Sequence, residues 1–216
     1  VDSIFCSNKV LSMQTTHTPK TPTESPVEHH PLKPFLPRNC NVLFLGSFPP
    51  PKARWSMDFY YPNFINDHWR IEGLIFFKDK DYFVDQDKKT FKLDKIIDFL
   101  EAMGIGFYDT ATTVRRLSGN ASDKFLQVEK ATDIKKLIAP LKDLKAIAVT
   151  GEKAAETICN YFSIPLIKVG ERTTILKGVW LYRLPSSSRA YPMALDQKAG
   201  AYQKMFDEIG LFKRQL

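Results

Sequence analysis

The chain contains few cysteines and no long run of apolar residues. Among its 216 residues only Cys6, Cys40 and Cys159 are cysteines, an odd number that has neither the paired spacing of zinc sites nor a disulfide framework. No stretch approaches the roughly 18 apolar residues of a membrane span, and the opening segment lacks the charged start and apolar core of a signal peptide. We therefore expect a soluble protein that contains no metal or other cofactor. We expect it to occur in a reducing, intracellular compartment.

Charge of one sign is not gathered in any one segment. The chain has 31 basic and 24 acidic residues, a net charge of +7, and the two signs are interspersed. This excess favours an anionic partner, with nucleic acid first, although an ordinary basic enzyme could have the same composition. The length and the 44% hydrophobic content suit one core and no second large domain. We expect a single-domain monomer.

Apolar side chains are also scarce between Ser12 and about Pro37, where Thr, Pro, Ser and His dominate. This composition predicts a flexible N-terminal arm over residues 1–33 and a folded domain over residues 34–216. His29 and His30 could be metal ligands, but no third ligand follows at a suitable spacing. A polar arm is the favoured interpretation.

Short apolar runs and helical periodicity alternate from Asn41 onward. The predicted strands are Asn41 to Gly46, Ile105 to Asp109, Lys145 to Thr150 and Val179 to Pro185. The predicted helices are Ile65 to Phe77, Leu93 to Met103, Thr132 to Ala139, Glu152 to Phe162 and Leu195 to Leu211. This alternation predicts an α/β fold, a three-layer α/β/α sandwich with a central, mostly parallel four-stranded sheet. Ligands bind such sheets at the carboxyl ends of the strands.

The loops that follow the four strands contain the informative residues. They read GSFPPPKARWSMDFYYPNFINDHW from Gly46, GIGFYDTATTVRR through Asp109, TGEKAAE from Thr150 and LPSSSRA from Leu184. Gly46 and the prolines favour a tight turn that can present amide N–H groups to a ligand. The rest of the first loop keeps tyrosines and an asparagine amide close to a strand end.

GSFP followed by YYPNFINDHW resembles the first motif of the uracil-DNA glycosylase superfamily, especially its hypoxanthine-DNA glycosylase, mismatch-specific branch. That branch has GTMP or GSMP and then YYxHPxNxFW, and the spacing agrees from Tyr61 to Asn66 and from Asn66 to Trp69. The second loop resembles the segment that recognises the flipped base, and the third resembles the NGxKA turn. The fourth resembles the closing motif, HPSPLS in the standard uracil enzymes and LPSTSP in the hypoxanthine branch. The four matches occur in the family's order from Asn41 to the C-terminus.

Two departures limit what this resemblance implies. Standard uracil enzymes have a water-activating Asp or Asn two residues after the first motif's glycine, where this chain has Phe48. Their closing-motif histidine corresponds to Leu184. The hypoxanthine branch lacks the same two groups and is similar to this chain in having its catalytic asparagine at the site of Asn66.

The resemblance implies two catalytic residues, Asn66 and Asp109. Asn66 would position water under the anomeric carbon of a cationic sugar, whereas by residue type alone it could cap a helix. Asp109 would accept the ring N–H that hypoxanthine and uracil share, whereas it could also be an N-cap or half of a buried ion pair. Tyr61 would stack on the flipped base, or could be a core aromatic.

The resemblance also implies a base pocket and a DNA-binding surface. Gly46, Ser47, Phe48 and Tyr61 are the predicted pocket residues. Arg189 or Tyr191 could fill the hole left by the base, and Arg115 and Arg116 are weaker phosphate candidates. The predicted DNA-binding residues are Gly151, Lys153, Ser186, Ser187, Ser188 and Arg189.

The expected function is therefore that of a monofunctional DNA glycosylase of base excision repair. It would flip a deaminated base, uracil or hypoxanthine, out of DNA and hydrolyse its N-glycosidic bond. A non-catalytic binder of flipped or single-stranded bases is the alternative that the missing standard groups suggest. An α/β enzyme acting on free nucleosides is a third possibility, which the basic charge and the serine-rich closing loop disfavour.

Overall fold

The structure is a computed structural model that describes residues 25–117 and 125–212. The strands are β1 (Val27–His29), β2 (Val42–Gly46), β3 (Val84–Asp85), β4 (Thr90–Phe91), β5 (Ile105–Asp109), β6 (Ala111–Arg116), β7 (Leu126–Ala131), β8 (Ala146–Thr150), β9 (Arg172–Leu176) and β10 (Val179–Leu184). The α-helices are α1 (His68–Phe77), α2 (Leu93–Met103), α3 (Ile134–Ile138), α4 (Glu152–Tyr161) and α5 (Leu195–Glu208).

The central sheet has five strands in the order β5-β2-β8-β10-β9. Strands β5, β2, β8 and β10 are parallel to one another and are the four strands that the apolar runs predict. The fifth strand, β9, pairs antiparallel with β10 through a hairpin whose turn contains Gly178 at φ 80°. The expectation of four strands is therefore wrong at this edge, where a polar segment is held by its hairpin partner.

Both faces of the central sheet are covered. Every residue of β5 and β8 is buried, as are the residues from Val42 to Leu45 in β2. Because successive side chains of a strand point to opposite faces, continuous burial requires packing on each face. Helices α1 and α5 pack against each other. The α/β class and the mostly parallel centre agree with the sequence-based expectation.

A second sheet has the order β1-β6-β7 and is antiparallel. Its first strand lies in the segment predicted to be a flexible arm, with Val27 opposite Arg115 and His29 opposite Thr113. The expected boundary at Pro34 is therefore wrong for residues 27–29, while residues 1–24 lie outside the described part. A strand this short needs no apolar pattern of its own when the edge of β6 supplies its backbone partners.

Cys40 and Cys159 are buried free thiols, and Cys6 lies outside the described residues. Among the helices in the described part of the chain, none is long and apolar enough to cross a membrane.

Candidate functional site

A cavity of about 550 Å³ opens at the carboxyl edge of the central sheet. The parallel register brings the ends of β2, β5, β8 and β10 to this edge, so that the four predicted loops meet there. The predicted site residues that line the cavity are Gly46, Ser47, Phe48, Tyr61, Asn66, Asp109, Gly151, Ser186, Ser187 and Ser188. Lys153 and Arg189 are outside this lining.

Asp109 is the last residue of β5 and lies beside Gly46, the last residue of β2. Its carboxylate is buried against the Gly46 backbone, and a β-carbon at position 46 would overlap with the Oδ1 atom of Asp109. The absence of a side chain at Gly46 therefore makes room for the carboxylate at the cavity wall. This steric requirement adds to the turn geometry that the sequence suggests for this glycine.

His30 is the partner of Asp109. Its Nε2 atom lies 2.8 Å from Oδ2 of Asp109, and the two side chains are 3% and 9% exposed. The buried pairing considered for Asp109 therefore exists, although Asp109 also lines the cavity. Composition places His30 in the arm, and no local sequence signal connects it to a residue 79 positions away.

Asn66 lies at the cavity wall just before α1. Its side-chain oxygen accepts a hydrogen bond from the backbone N–H of His68 at 2.9 Å. Its backbone carbonyl accepts a hydrogen bond from Nη1 of Arg70 at 3.1 Å. The helix begins at His68 rather than at the predicted Ile65. Both interpretations of Asn66 are therefore compatible with its position, since it satisfies a free helix amide and also faces the cavity.

Tyr61 forms a half-buried aromatic wall of the cavity. Its ring stacks on His68 with centroids 3.9 Å apart and planes 4° apart, and its hydroxyl is 2.7 Å from Oγ1 of Thr150. Its backbone has φ 49°, a left-handed conformation that costs free energy for a residue with a side chain. Such strain persists only where surrounding contacts impose it, which here fixes the ring at the cavity.

A fully buried polar pair lies beneath Tyr61. Nε2 of His68 is 3.6 Å from Oε1 of Glu72, and neither side chain has any exposed area. Burial lowers the pKa of His68 to about 3 and raises the pKa of Glu72 to about 8. Both groups are therefore neutral at pH 7, and the ring under Tyr61 carries no charge.

The serine loop after β10 is tied to the start of α1. The backbone N–H of Asp67 donates to the carbonyl of Ser187 at 3.0 Å, and the buried Lys198 donates to the carbonyl of Ser188 at 2.8 Å. Arg189 donates to Oδ1 of Asp67 through Nε and Nη2 at 3.1 and 2.9 Å. Arg189 thus joins the first and fourth loops rather than lining the cavity.

The basic residues that line the cavity are not Lys153 and Arg189, the two predicted to bind DNA. Arg54 and Arg183 line it, whereas Lys153 pairs with Glu156 at 3.4 Å beside a separate groove between α4 and β7. Arg183 donates to the carbonyl of Ile167 at 2.9 Å, and its Nε atom is buried without a hydrogen-bond partner among the described residues. Both arginines lie in segments where sequence alone marks only scattered positive charge.

Arg115 and Arg116 are bound within the second sheet. Arg115 pairs with Glu129 at 3.1 Å, and Arg116 pairs with Glu28 at 2.8 Å while donating to the carbonyl of Pro49. Their guanidinium groups therefore hold β1 and the first loop against β6. This arrangement accounts for them without a phosphate.

Two positions that differ from the standard uracil enzymes are apolar here. Phe48 packs in a small cluster with Ala111, Val114 and Leu126, and Leu184 belongs to the main core. Neither can activate water. Any polar group acting on a ligand at this edge must therefore come from the other cavity residues.

The comparisons with known proteins show the fold. The chain is similar to a solution NMR structure from Methanosarcina acetivorans that is described as a "putative Uracil DNA glycosylase", with a TM-score of 0.57 and 21% sequence identity. The match covers 85% of this chain and 99% of that one. No protein-family model and no curated protein matches the chain.

Proposed function

We propose that the chain is a DNA glycosylase of the uracil-DNA glycosylase superfamily, closest to its hypoxanthine branch. It would flip a deaminated base, hypoxanthine or uracil, out of DNA and hydrolyse the N-glycosidic bond in base excision repair. The observation that carries this proposal is that Asn66, Tyr61 and Asp109 meet in one cavity at the carboxyl edge of the sheet. The similarity of the fold to the Methanosarcina structure supports it.

The cavity suits a single base. Its volume of about 550 Å³ lies within the range of small-molecule sites, and it is open at the surface. A base inside a duplex cannot reach such a cavity, so the nucleotide must first rotate out of the stack. We propose that the cavity holds the extruded base and its sugar.

Tyr61 and Asp109 would hold the base. The ring of Tyr61, supported from below by the neutral ring of His68, offers a stacking face. The Asp109 carboxylate would accept a ring N–H, which hypoxanthine has at N1 and uracil at N3. Adenine and cytosine have lone pairs at those nitrogens, so the carboxylate would disfavour these two of the four normal bases.

Asn66 would hold the attacking water. Its oxygen is held by the His68 N–H, while its amide N–H groups have no hydrogen-bond partner within the described residues. An amide is a poor proton acceptor, so the role is positioning, which suffices when the sugar itself becomes a strong electrophile. Within the described residues, the cavity lining includes no lysine, which supports direct hydrolysis without a Schiff base.

The DNA backbone would be bound around the mouth of the cavity. Gly151 precedes α4 and leaves the amides of the first helical turn free for a phosphate. Ser186, Ser187 and Ser188 offer small donors, and the cavity arginines Arg54 and Arg183 add positive charge. Since Arg189 is committed to Asp67, Tyr191 is the better candidate to fill the hole in the duplex.

A second candidate function is binding of flipped or single-stranded bases without cleavage. The observation that favours it is the apolar character of Phe48 and Leu184, where standard uracil enzymes have catalytic groups. The two candidates differ in one product, the abasic site. Both predict binding of DNA that carries an exposed base.

The test is incubation with matched duplex and single-stranded oligonucleotides that contain uracil, hypoxanthine, xanthine or mismatched thymine, followed by alkaline cleavage. Cleavage after alkali at hypoxanthine or uracil supports the glycosylase, and borohydride should then trap no protein–DNA adduct. Binding without cleavage for every base would favour the second candidate. If the protein neither binds nor cleaves any of these oligonucleotides, both candidate functions are rejected.

A further inference from the structure

His30 lies behind the cavity wall, within a cage of aromatic rings. The centroid of its ring is 5.3 Å from that of Phe48, 6.4 Å from that of Tyr60 and 4.7 Å from that of Tyr108. Its backbone is anchored by a hydrogen bond from its N–H to the carbonyl of Thr112 at 2.9 Å. The ring is thus fixed from several sides and has little freedom to leave Asp109.

The surroundings of Nδ1 limit the protonation states of the ring. The Leu32 N–H lies 3.1 Å from Nδ1, and the Leu32 carbonyl oxygen lies 2.9 Å from the same atom. A neutral ring with its proton on Nε2 can accept from that N–H, and a doubly protonated ring can donate to that carbonyl. In both states Nε2–H donates to Oδ2 of Asp109. Only a neutral ring protonated on Nδ1 would require a proton on the carboxyl group.

We propose that His30 is a specificity-determining positioning residue, which holds Asp109 as an oriented, acceptor-only carboxylate facing the base. The inference rests on the proposed function, because it concerns the choice of base in that cavity. One oxygen of Asp109 is bound by Nε2 of His30, and the other lies against Gly46. The N-terminal segment therefore completes the wall that recognises the base.

The consequence is discrimination by proton position. A carboxylate can only accept, so it pairs with a base that has a ring N–H and leaves the lone pair of adenine N1 or cytosine N3 unmatched. Without the histidine donor, Oδ2 loses the hydrogen bond that orients the carboxylate, and the group can rotate out of its position facing the base. It would then pair less well with a ring N–H, and the discrimination would fall.

The experiment compares His30→Leu, which removes the donor, with His30→Gln, which keeps an N–H near the position of Nε2. His29→Gln is the matched control, because His29 is the adjacent histidine of β1 and is exposed. Steady-state kcat and KM are measured on otherwise identical duplexes that have hypoxanthine, adenine, uracil or cytosine at one test position. Thermal unfolding is recorded for each variant. Nitrogen-15 NMR of the free protein reports which ring nitrogens of His30 carry protons.

We expect His30→Leu to lower the ratio of kcat/KM for hypoxanthine over adenine by about tenfold to a hundredfold, the range for loss of a hydrogen bond to a charged group. The loss should appear mainly as a higher KM for hypoxanthine, while His30→Gln and His29→Gln keep the wild-type ratio. NMR should show a proton on Nε2. A merely structural role would reduce the active fraction equally for all bases and leave the ratio unchanged.

The outcomes separate the two proposals. An unchanged ratio in His30→Leu, or a neutral ring protonated on Nδ1, overturns the role of His30 even if the wild-type protein excises deaminated bases. Wild-type protein that excises no base rejects the proposed function, whatever the NMR shows of the His30–Asp109 hydrogen bond. If His30→Leu fails to fold, His30→Gln together with the NMR assignment still tests the inference.

Discussion

The side-chain oxygen of Asn66 accepts a hydrogen bond from the backbone N–H of His68 at 2.9 Å. The residue proposed to hold water therefore also satisfies one of the free amides at the start of α1. Removal of its side chain could reduce activity through either role. Variants that retain the hydrogen bond to the helix but lose the amide can distinguish them.

Asn66→Ala and Asn66→Ser should both lower single-turnover excision by roughly 10²-fold or more, by analogy with other positioned donors. The serine hydroxyl can also accept the His68 N–H two residues on, so only the alanine variant should lose about 1 kcal/mol of unfolding free energy. Lesion-DNA affinity should change little in either. A serine variant that excises at the wild-type rate would show that Asn66 acts only through its hydrogen bond to the start of α1.

Gly46→Ala should reduce excision far more than it reduces stability. The added β-carbon overlaps with Oδ1 of Asp109, so the carboxylate must move away from the base. Gly200→Ala is the control, because a β-carbon there meets no atom within 4 Å. Excision rates and melting temperatures of both variants check the prediction, and a fully active Gly46→Ala would contradict the role of Asp109.

The central elements could be predicted because they bury continuous apolar surface. Strand β5 and helix α2 have the predicted bounds, and the runs that form β2 and β8 are apolar enough to require burial on both faces. Parallel strands bring their carboxyl ends together. The loops that contain Asn66 and Asp109 could therefore be expected to meet from the sequence alone.

The missed elements depend on partners that are distant in sequence. Strand β1 is three residues long and mostly exposed, and β9 begins with the polar run Arg172, Thr173 and Thr174. Each forms because a neighbouring strand edge supplies hydrogen-bond partners, which leaves no periodic signal in the segment itself. The contact between His30 and Asp109 follows from β1 and was hidden for the same reason.

Removal of residues 25–32 should now damage the protein, contrary to what the composition of the arm suggests. The deletion eliminates β1, the His30–Asp109 hydrogen bond and the ion pair between Arg116 and Glu28. A chain of residues 33–216 should melt about 5 to 10 °C below one of residues 25–216, at about 2–4 °C per kcal/mol for a domain of this size. It should also excise more slowly. Equal melting temperatures would show that β1 contributes nothing to stability.

The buried Glu72 should make stability fall as pH rises. The pKa of Glu72 is about 8 in the folded protein, against an ordinary value of 4.5. Between these two pH values the folded protein therefore retains a proton that the unfolded chain has already released. The stabilisation is complete below about pH 4.5 and is lost as pH rises through about 8. Between pH 6.5 and 8.5 the melting temperature should fall in the wild type and much less in Glu72→Gln.

The window avoids His68, whose pKa is lowered from 6.5 to about 3 and which therefore affects stability only on the acid side. Glu101→Gln is the matched control, because Glu101 is exposed on α2. It should keep the wild-type dependence. A Glu72→Gln variant with the same pH dependence as the wild type would show that Glu72 does not hold this proton.

The cavity arginines, rather than Lys153, should dominate the salt dependence of DNA binding. Arg54 and Arg183 line the cavity, so each can neutralise a phosphate beside the flipped nucleotide, whereas Lys153 is paired with Glu156. Arg54→Ala and Arg183→Ala should each weaken binding and lower the magnitude of the slope of log affinity against log salt by about one unit.

Lys177→Ala is the control, because Lys177 is exposed in the turn before β10, at the opposite end of the sheet. The slopes are measured by fluorescence anisotropy at salt concentrations from about 50 to 300 mM, roughly the range over which phosphate contacts weaken. A slope changed by Lys177→Ala and unchanged by either arginine variant would move the DNA-binding surface away from the cavity.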